Sequence, residues 1–369
     1  MSKGYGITKD QLSVEGQPCI LYGELYTTYK NEVISEVKSK TDIDTKGLVH
    51  SQANDVIIPS SGETPEDIAT ACCVMLDDIL LGGDLNILRP YNDNGCFLSY
   101  QLNGRRKYDI ARVAQGASIV HLHNEHLHSL NIFTPESLDE QEKIVSLLAL
   151  IDERIDTQSK IIEDLQSQKA WICQSYFMQR KAESYGWTKT PLTEVLTERK
   201  TYATKGNEYP HATLAKEGIY AKSGRYDRDF LVKNEDKSYK ITHINDICYN
   251  PANLKFGVIC RNTFGSAIFS PIYITFEVNS KFNPCFIGYY LTNNDFISRI
   301  RKYEEGTIYE RMAVSPEDFL RGEIYIPSIE EQNKVVSVIQ KLEEKIENEL
   351  SILGKLKEQK KYLLSNMFI

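Results

Sequence analysis

Forty residues of this chain are written twice. Leu138–Phe177 and Ile329–Phe368 align at a fixed offset of 191 with no gap, and 12 of the 40 positions are identical. That repeat signal is well above chance. SLDEQEKIV at Ser137–Val145 returns as SIEEQNKVV at Ser328–Val336. A chain built this way is constrained to fold as two similar units.

The period inside each copy is helical. One row of the first copy reads Ile144, Ile151, Gln158, Leu165, Ile172, and the other reads Leu148, Ile155, Ile162, Lys169, Tyr176. The second copy gives Val335, Leu342, Glu349, Leu356, Leu363 and Ile339, Ile346, Leu353, Lys360, Met367. Both rows step by seven and interleave at spacings of three and four, the pattern of a coiled-coil seam. A lone row of this kind fits an ordinary amphipathic helix on a core. Two matching rows with matching polar breaks, Gln158/Glu349 and Lys169/Lys360, favour two helices that pack on each other, and such breaks commonly set register. Each helix of about 40 residues would be roughly 60 Å long. Pro135 and Pro327 stand ahead of them, and acidic residues crowd their first turns, as the helix dipole favours.

Upstream the echo is weaker. Asn54-Asp55-Val56-Ile57 matches Asn245-Asp246-Ile247-Cys248, and Gly116-Ala117 nearly matches Gly306-Thr307. The unit is a globular segment followed by a long helix. The expected domains are 1–133, a helix over 134–180, a second globular domain over 181–326 and a closing helix over 327–369. NDVIIPSSGE, NDICYNPANLKFGVICR and SAIFSPIYITFEV read as strand-rich stretches, the last by its β-branched and aromatic content. PEDIATACCVML and PCFIGYYLTNNDFISRIRKY read as helices, so the domains are of mixed α+β class. Gly186–Glu198, GWTKTPLTEVLTE, reads as a turn and short helix with no counterpart in the first unit, whose front is expected to be truncated.

The totals narrow the class. With 369 residues, two domains are expected. The hydrophobic share of 41% and charged share of 25% suit a soluble globular protein. No run of about 18 apolar residues predicts a membrane span. MSKGYGITKD lacks the apolar core of a secretory signal. Eight scattered cysteines form no CxxC pair, and free thiols in a reducing cytoplasm are the expectation. A net charge of −8 argues mildly against a protein that holds nucleic acid unaided through phosphate contacts.

Two stretches invite enzymatic readings. HLHNEHLH (His121–His128) holds four of the seven histidines, and imidazoles so close could ligate zinc. The competing reading is a strand end and loop whose rings are solvated or hydrogen-bonded. The matching segment of the second unit, ERMAVSPEDF, has no histidine, so no metal is expected. YNPAN (Tyr249–Asn253) is similar to the Asn-Pro-Pro-aromatic loop of adenine methyltransferases, but lacks the second proline and the stacking aromatic. No glycine-rich cofactor loop precedes it. No GxxxxGK[ST], GxSxG or HExxH occurs, so no catalytic residue is expected.

Taken together, the chain resembles the specificity (S) subunit of Type I restriction-modification systems. The resemblance rests on Pro-x-x-x-x-Glu-Gln-x-Lys leading a long helix at Pro135–Lys143, repeated one residue shorter at Pro327–Lys334. It rests also on the helix end YLLSNMFI at Tyr362–Ile369 and on the doubled architecture. It implies an α+β fold with two target recognition domains, each reading half of a bipartite double-stranded DNA site. The two helices would pair antiparallel as a pseudo-two-fold coiled-coil spacer. The implied partners are two methyltransferase subunits, with endonuclease or translocase subunits as further partners. S-adenosylmethionine would be bound by the methyltransferase and not by this chain.

Within that frame, four basic and aromatic clusters are candidate DNA contacts: Tyr22, Tyr26, Tyr29 and Lys30; Arg105, Arg106 and Lys107; Lys200, Tyr202 and Lys205; and Lys222, Arg225 and Arg228. Ser60 and Ser61, and Asn250, Asn253 and Lys255, join them as loop residues after strands. Such side chains can read base edges or pack against sugar and phosphate, although a solvated surface is the alternative for each. The helix-pairing set is Ile144, Leu148, Ile151, Ile155, Ile162, Leu165, Ile172, Val335, Ile339, Leu342, Ile346, Leu353, Leu356 and Leu363. Two alternatives stay open: a coiled-coil scaffold that joins proteins without reading DNA, and a specificity subunit with no active partner.

Overall fold

The structure, a computed structural model, describes residues 1–29, 31–114, 120–178, 183–204, 208–222, 238–305 and 312–368. Lys30, Lys205, Arg225, Arg228 and the Gly116/Gly306 echo lie outside the described residues. The chain divides into two units: residues 1–161 with 349–369, and residues 162–348. Two long helices, Leu138–Tyr176 and Ile329–Asn366, each contribute to both.

Unit 1 is built on two five-stranded sheets. In the first, the strands run in the order Ser2–Lys3, Leu85–Leu88, Asp55–Pro59, Cys72–Val74, Val33–Ile34. Asp55–Pro59 is central and buried along its whole length, which explains why Val56–Pro59 is an unbroken apolar run rather than an alternating one. It is antiparallel to both neighbours, with Ile57 opposite Ile87 and Cys72. The second sheet orders Leu12–Ser13, Ser39–Thr41, Gln17–Ile20, Leu80–Leu81, Val49–His50. The stretch expected to be a helix, PEDIATACCVML, is helical only over Pro65–Ile68, where Thr64 caps the Asp67 N–H. It then becomes the strand Cys72–Val74. A short apolar run buried on both faces carries no period to tell strand from helix, and here sheet pairing decides.

Unit 2 has a four-stranded sheet ordered Leu196–Glu198, Ile274–Val278, Ile247–Tyr249, Ile259–Arg261, a three-stranded sheet, a two-stranded hairpin and a two-stranded pair, Thr188–Pro191 with Glu323–Ile326. SAIFSPIYITFEV is not one strand but two, Ala267–Phe269 and Ile274–Val278, parted at Ser270-Pro271. PCFIGYYLTNNDFISRIRKY is likewise two helices, Pro284–Leu291 and Asn294–Ile300, because Asn293 caps the second by accepting from the Asp295 N–H. GWTKTPLTEVLTE gives a strand, Thr188–Pro191, one helical turn, Leu192–Val195, and another strand, Leu196–Glu198.

The helix rows predicted from the heptads sit inward. Leu148, Ile151, Ile162, Leu165 and Ile339 are buried, the other nine named positions are half-buried, and none is exposed. In unit 1, Leu148, Leu364 and Phe368 join the core with Phe97 and Leu102. In unit 2, Phe177, Val336 and Ile339 join the core with Phe286 and Tyr290. Among the described residues, no helix is long and apolar enough to cross a membrane.

Candidate nucleic-acid interface

Each unit holds its long-helix segments through one set of clamps, built twice. Gln141 and Gln332, a repeated pair in the sequence, are both buried. The Gln141 amide oxygen accepts from the Asn94 N–H at 2.8 Å while its NH2 donates to the Pro135 carbonyl at 2.9 Å. Gln332 does the same with the Asn283 N–H (2.9 Å) and the Pro327 carbonyl (3.0 Å). Asn94 and Asn283 are themselves the N-caps of Gly95–Asn103 and Pro284–Leu291. The glutamine of the motif therefore fixes a globular-domain helix start to a long-helix start. Each bond also satisfies a backbone group that would be costly to bury unpaired.

Eleven residues beyond each clamp glutamine, about three helical turns, Asp152 and Glu343 partner the polar breaks Lys360 and Lys169. In unit 1, Lys360 Nζ lies 2.6 Å from Asp152 and also pairs with Glu32, while the Tyr100 hydroxyl donates to Asp152 at 2.8 Å. In unit 2, Lys169 Nζ lies 2.6 Å from Glu343, which accepts from the Tyr289 hydroxyl at 2.9 Å. Lys169/Lys360 and Asp152/Glu343 are related by the same offset of 191. Phe97 meets Phe368 edge-on at 5.2 Å, as Phe286 meets Phe177 at 5.1 Å. Within unit 1, Gln158 donates to the Glu349 carboxylate at 2.5 Å, joining the two long helices.

The two ion pairs differ in exposure. The Lys360, Asp152 and Glu32 side chains are 13%, 10% and 11% exposed, against 34% and 38% for Lys169 and Glu343. Burial raises the Glu32 carboxyl above its ordinary range, with Lys360 opposing that rise and Asp152 adding to it. Burial pulls Lys360 down, but its two carboxylates outweigh this and leave its pKa raised. One ammonium serving two buried carboxylates leaves the trio one negative charge in excess, so the directions agree. The same burial, aided by Asp152, raises the Tyr100 phenol.

The predicted DNA-facing residues divide into exposed and inward groups. Arg105 is exposed, while Arg106 is held by Asp109 at 3.1 Å and lies 5.4 Å from the Phe133 ring centroid. Tyr26, Tyr29 and Lys107, from two separate sequence clusters, line one cleft of about 360 Å³ with Asn31, Glu66 and Asp67. Tyr29 is largely buried, its hydroxyl accepting from the Lys38 N–H, and burial pushes its pKa up to about 12. Tyr22 packs on the unit 1 core. Ser60 and Ser61 are buried, the first turned to Asp84 and the second to His121, so they do not face solvent as expected. Ser61 opens a short strand, Ser61–Gly62, that pairs with Val120–His121 directly after the central strand.

In unit 2, Lys200 is exposed and paired to Glu198 at 3.2 Å, and Tyr202 is half-exposed with Lys240 Nζ 5.7 Å from its ring centroid. Lys222 closes the hairpin through its N–H to the His211 carbonyl. Asn250 is turned to its own loop, accepting from the Ala252 N–H, whereas Asn253 and Lys255 are exposed. Phe256, which the sequence reading passed over, is 62% exposed beside Lys255.

Sequence reasoning also missed a matched pair of anchors. Arg89 grips Asp55 through two bonds of 2.7 Å, and Arg199 grips Asp246 at 2.9 and 3.0 Å. Asp55 and Asp246 follow Asn54 and Asn245, which both take positive φ (84° and 72°), a conformation asparagine tolerates better than most. The Asn-Asp echo in the sequence was the available signal, but neither arginine is at a repeated position. Among the described residues no group of three or more His, Cys, Asp or Glu is placed to hold a metal. His121 instead bonds Ser61, and the His126 ring accepts from the His123 N–H. The YNPAN loop folds as a short 3-10 helix, Pro251–Phe256, capped by Asn250.

The chain is similar in fold to the S subunit of a Type-I restriction-modification system from M. genitalium. The TM-score is 0.55 and the identity 18%, over 100% of this chain and 93% of that one. A chain from a structure of complex assembly and conformational transition of the type I R-M system gives a TM-score of 0.58 at 15% identity, over 99% and 93%. No family model and no curated protein matches the sequence.

Proposed function

We propose that this chain is the non-catalytic DNA-reading subunit of a Type I restriction-modification complex. Each globular domain reads one half of a bipartite, asymmetric double-stranded target. The two long helices pair antiparallel as a coiled coil that fixes the gap between half-sites. Two methyltransferase subunits dock on the assembly and bind S-adenosylmethionine, and endonuclease or translocase subunits complete it. The observation that carries this reading is the duplication itself. The same Gln, Tyr, acid and Lys clamps recur in both units, on a fold similar to that of an S subunit. Two similar readers suit two half-sites on one duplex. The net charge of −8 fits if the partner subunits supply most phosphate contacts.

The candidate contact residues are Tyr26, Arg105, Lys107, Lys200, Tyr202, Lys222, Asn253 and Lys255, which the structure leaves at least partly exposed. The charge also favours one rival, a coiled-coil scaffold with no DNA reading. The test is co-expression with an adenine methyltransferase subunit, followed by mapping of methylated sites. Two short half-sites with a fixed gap are expected, and replacing residues 1–133 by another reader should change only one of them. A target unchanged by the swap favours the scaffold.

A further inference from the structure

Three sulfur atoms meet in unit 1. Cys73 Sγ lies 3.8 Å from Met75 Sδ, and Cys96 Sγ lies 3.3 Å from the same atom. The two thiols are also within hydrogen-bonding reach of each other. Local structure explains the convergence. Cys73 and Met75 are two residues apart in extended chain and so point to one face of the sheet. Cys72 and Val74 pack into the core on the other face. The Met75 N–H donates to the Ile34 carbonyl at 3.0 Å, which holds the residue in register. Cys96 is the second residue of the helix Gly95–Asn103, which packs on the Cys73 face. Glycine at 95 permits the approach, since a Cβ there would stand 3.0 Å from Cys73 Sγ.

The duplicated architecture does not itself require these sulfurs. Val56 opposite Cys73 corresponds to Ile247 opposite Arg261, so the counterparts of Cys73 and Met75 in unit 2 are Arg261 and Thr263. Cys285, two residues after the capping Asn283, matches Cys96, two residues after Asn94. Arg261 there runs along Gly288 and donates to Asn245 at 2.8 Å. Unit 2 thus makes the same helix-on-strand contact with one sulfur of the three.

We propose that Cys73, Cys96 and Met75 form a binding site for one Cu(I) ion. Two thiolates and a thioether are a soft donor set, which selects Cu(I). At a metal–sulfur distance of about 2.3 Å, as in zinc thiolates, three sulfurs around one ion stand about 4 Å apart. The sulfurs therefore need only a small spreading, which the flexible Met75 side chain, 45% exposed, can supply. Cys73 and Cys96 are buried, so the ion is held away from water, and Met75 is its way in. Copper arrives and stays as Cu(I). Each thiol gives up its proton to solvent, which leaves the site one negative charge in excess. Cys96 carries its share at the start of a nine-residue helix, where the unpaired N–H groups favour it. Zinc is the poorer occupant: it takes four ligands from thiolate, imidazole and carboxylate, and among the described residues no group of three such side chains forms. The site is independent of whether unit 1 reads DNA.

The probe is Cu(I) itself, offered under argon to the fully reduced full chain as its complex with the chelator bathocuproine disulfonate. The chain should withdraw copper from the chelator, and copper-edge X-ray absorption should show sulfur neighbours only. Met75→Leu, at an exposed position that tolerates the change, should weaken the binding about tenfold or more, and Cys96→Ala should weaken it further. Cys285→Ala, the counterpart change in unit 2, should leave it unaltered. Copper that stays with the chelator, nitrogen or oxygen neighbours at the metal, or full affinity in Met75→Leu overturns the inference.

Discussion

Lys360→Ala should destabilise unit 1 by about 3–5 kcal/mol, whereas Lys169→Ala, the same change at the repeated position, should cost no more than about 1 kcal/mol. The two lysines make the same contact in their units, yet one is sealed and the other is not. Removing the Lys360 ammonium strands Asp152 and Glu32, two carboxylates about nine-tenths buried, with only the Tyr100 hydroxyl and backbone groups in support. Removing Lys169 leaves Glu343 38% exposed, where water takes over.

The pH dependence follows from the sign of the Glu32 shift. A carboxyl whose folded pKa is raised favours folding below its unfolded pKa and loses that contribution as pH rises through the folded value. The Lys360→Ala deficit should therefore be largest at neutral pH and shrink towards about pH 4, where carboxyls protonate. Adding Glu32→Gln should recover part of the loss at neutral pH. Denaturant unfolding at both pH values is the check. Equal losses for the two lysine variants, or a deficit that grows in acid, contradict this account.

Gly104→Ala is the second large effect. A Cβ at Gly104 would stand 2.2 Å from the Leu364 carbonyl oxygen and 3.0 Å from its carbon. Both are backbone atoms of the second long helix and cannot turn aside as a side-chain tip can. A loss of about 3 kcal/mol is expected, with faster amide exchange over residues 360–368 as the last helix turns leave the core formed with Phe97. Unit 2 solves the same contact differently. There Asn293 donates its NH2 to the Cys173 carbonyl at 2.9 Å. Gly354 is the control, since it lies in the same helix with nothing within 4 Å. Gly354→Ala should stabilise by up to about 1 kcal/mol. Equal behaviour of the two glycines would falsify the close-approach argument.

The helices were legible because a heptad row is a local signal that buries one face wherever the helix docks, and all fourteen named positions sit inward. The matched Lys169 and Lys360 were legible as register features, but their partners were not. Asp152 and Glu343 lie on the opposite long helix, and Glu32 comes from far back in the chain; no spacing rule links them. Ala69–Val74 was misread because an apolar run buried on both sides has no period. Ser60 and Ser61 were misplaced for a related reason: the sequence shows where the strand Asp55–Pro59 ends but not that Ser61–Gly62 pairs again, with the distant Val120–His121.

The most direct measurement of the bipartite-reader account lengthens the spacer and reads the target. One heptad inserted after Gln158 and one after Glu349 keeps the apolar rows in phase and adds about 10 Å to each helix, roughly three base-pair steps. Methylated-site mapping of the complex should then return both original half-sites with the gap enlarged by about three base pairs. Half-sites retained at the original gap contradict the claim that the paired helices set the distance between two readers.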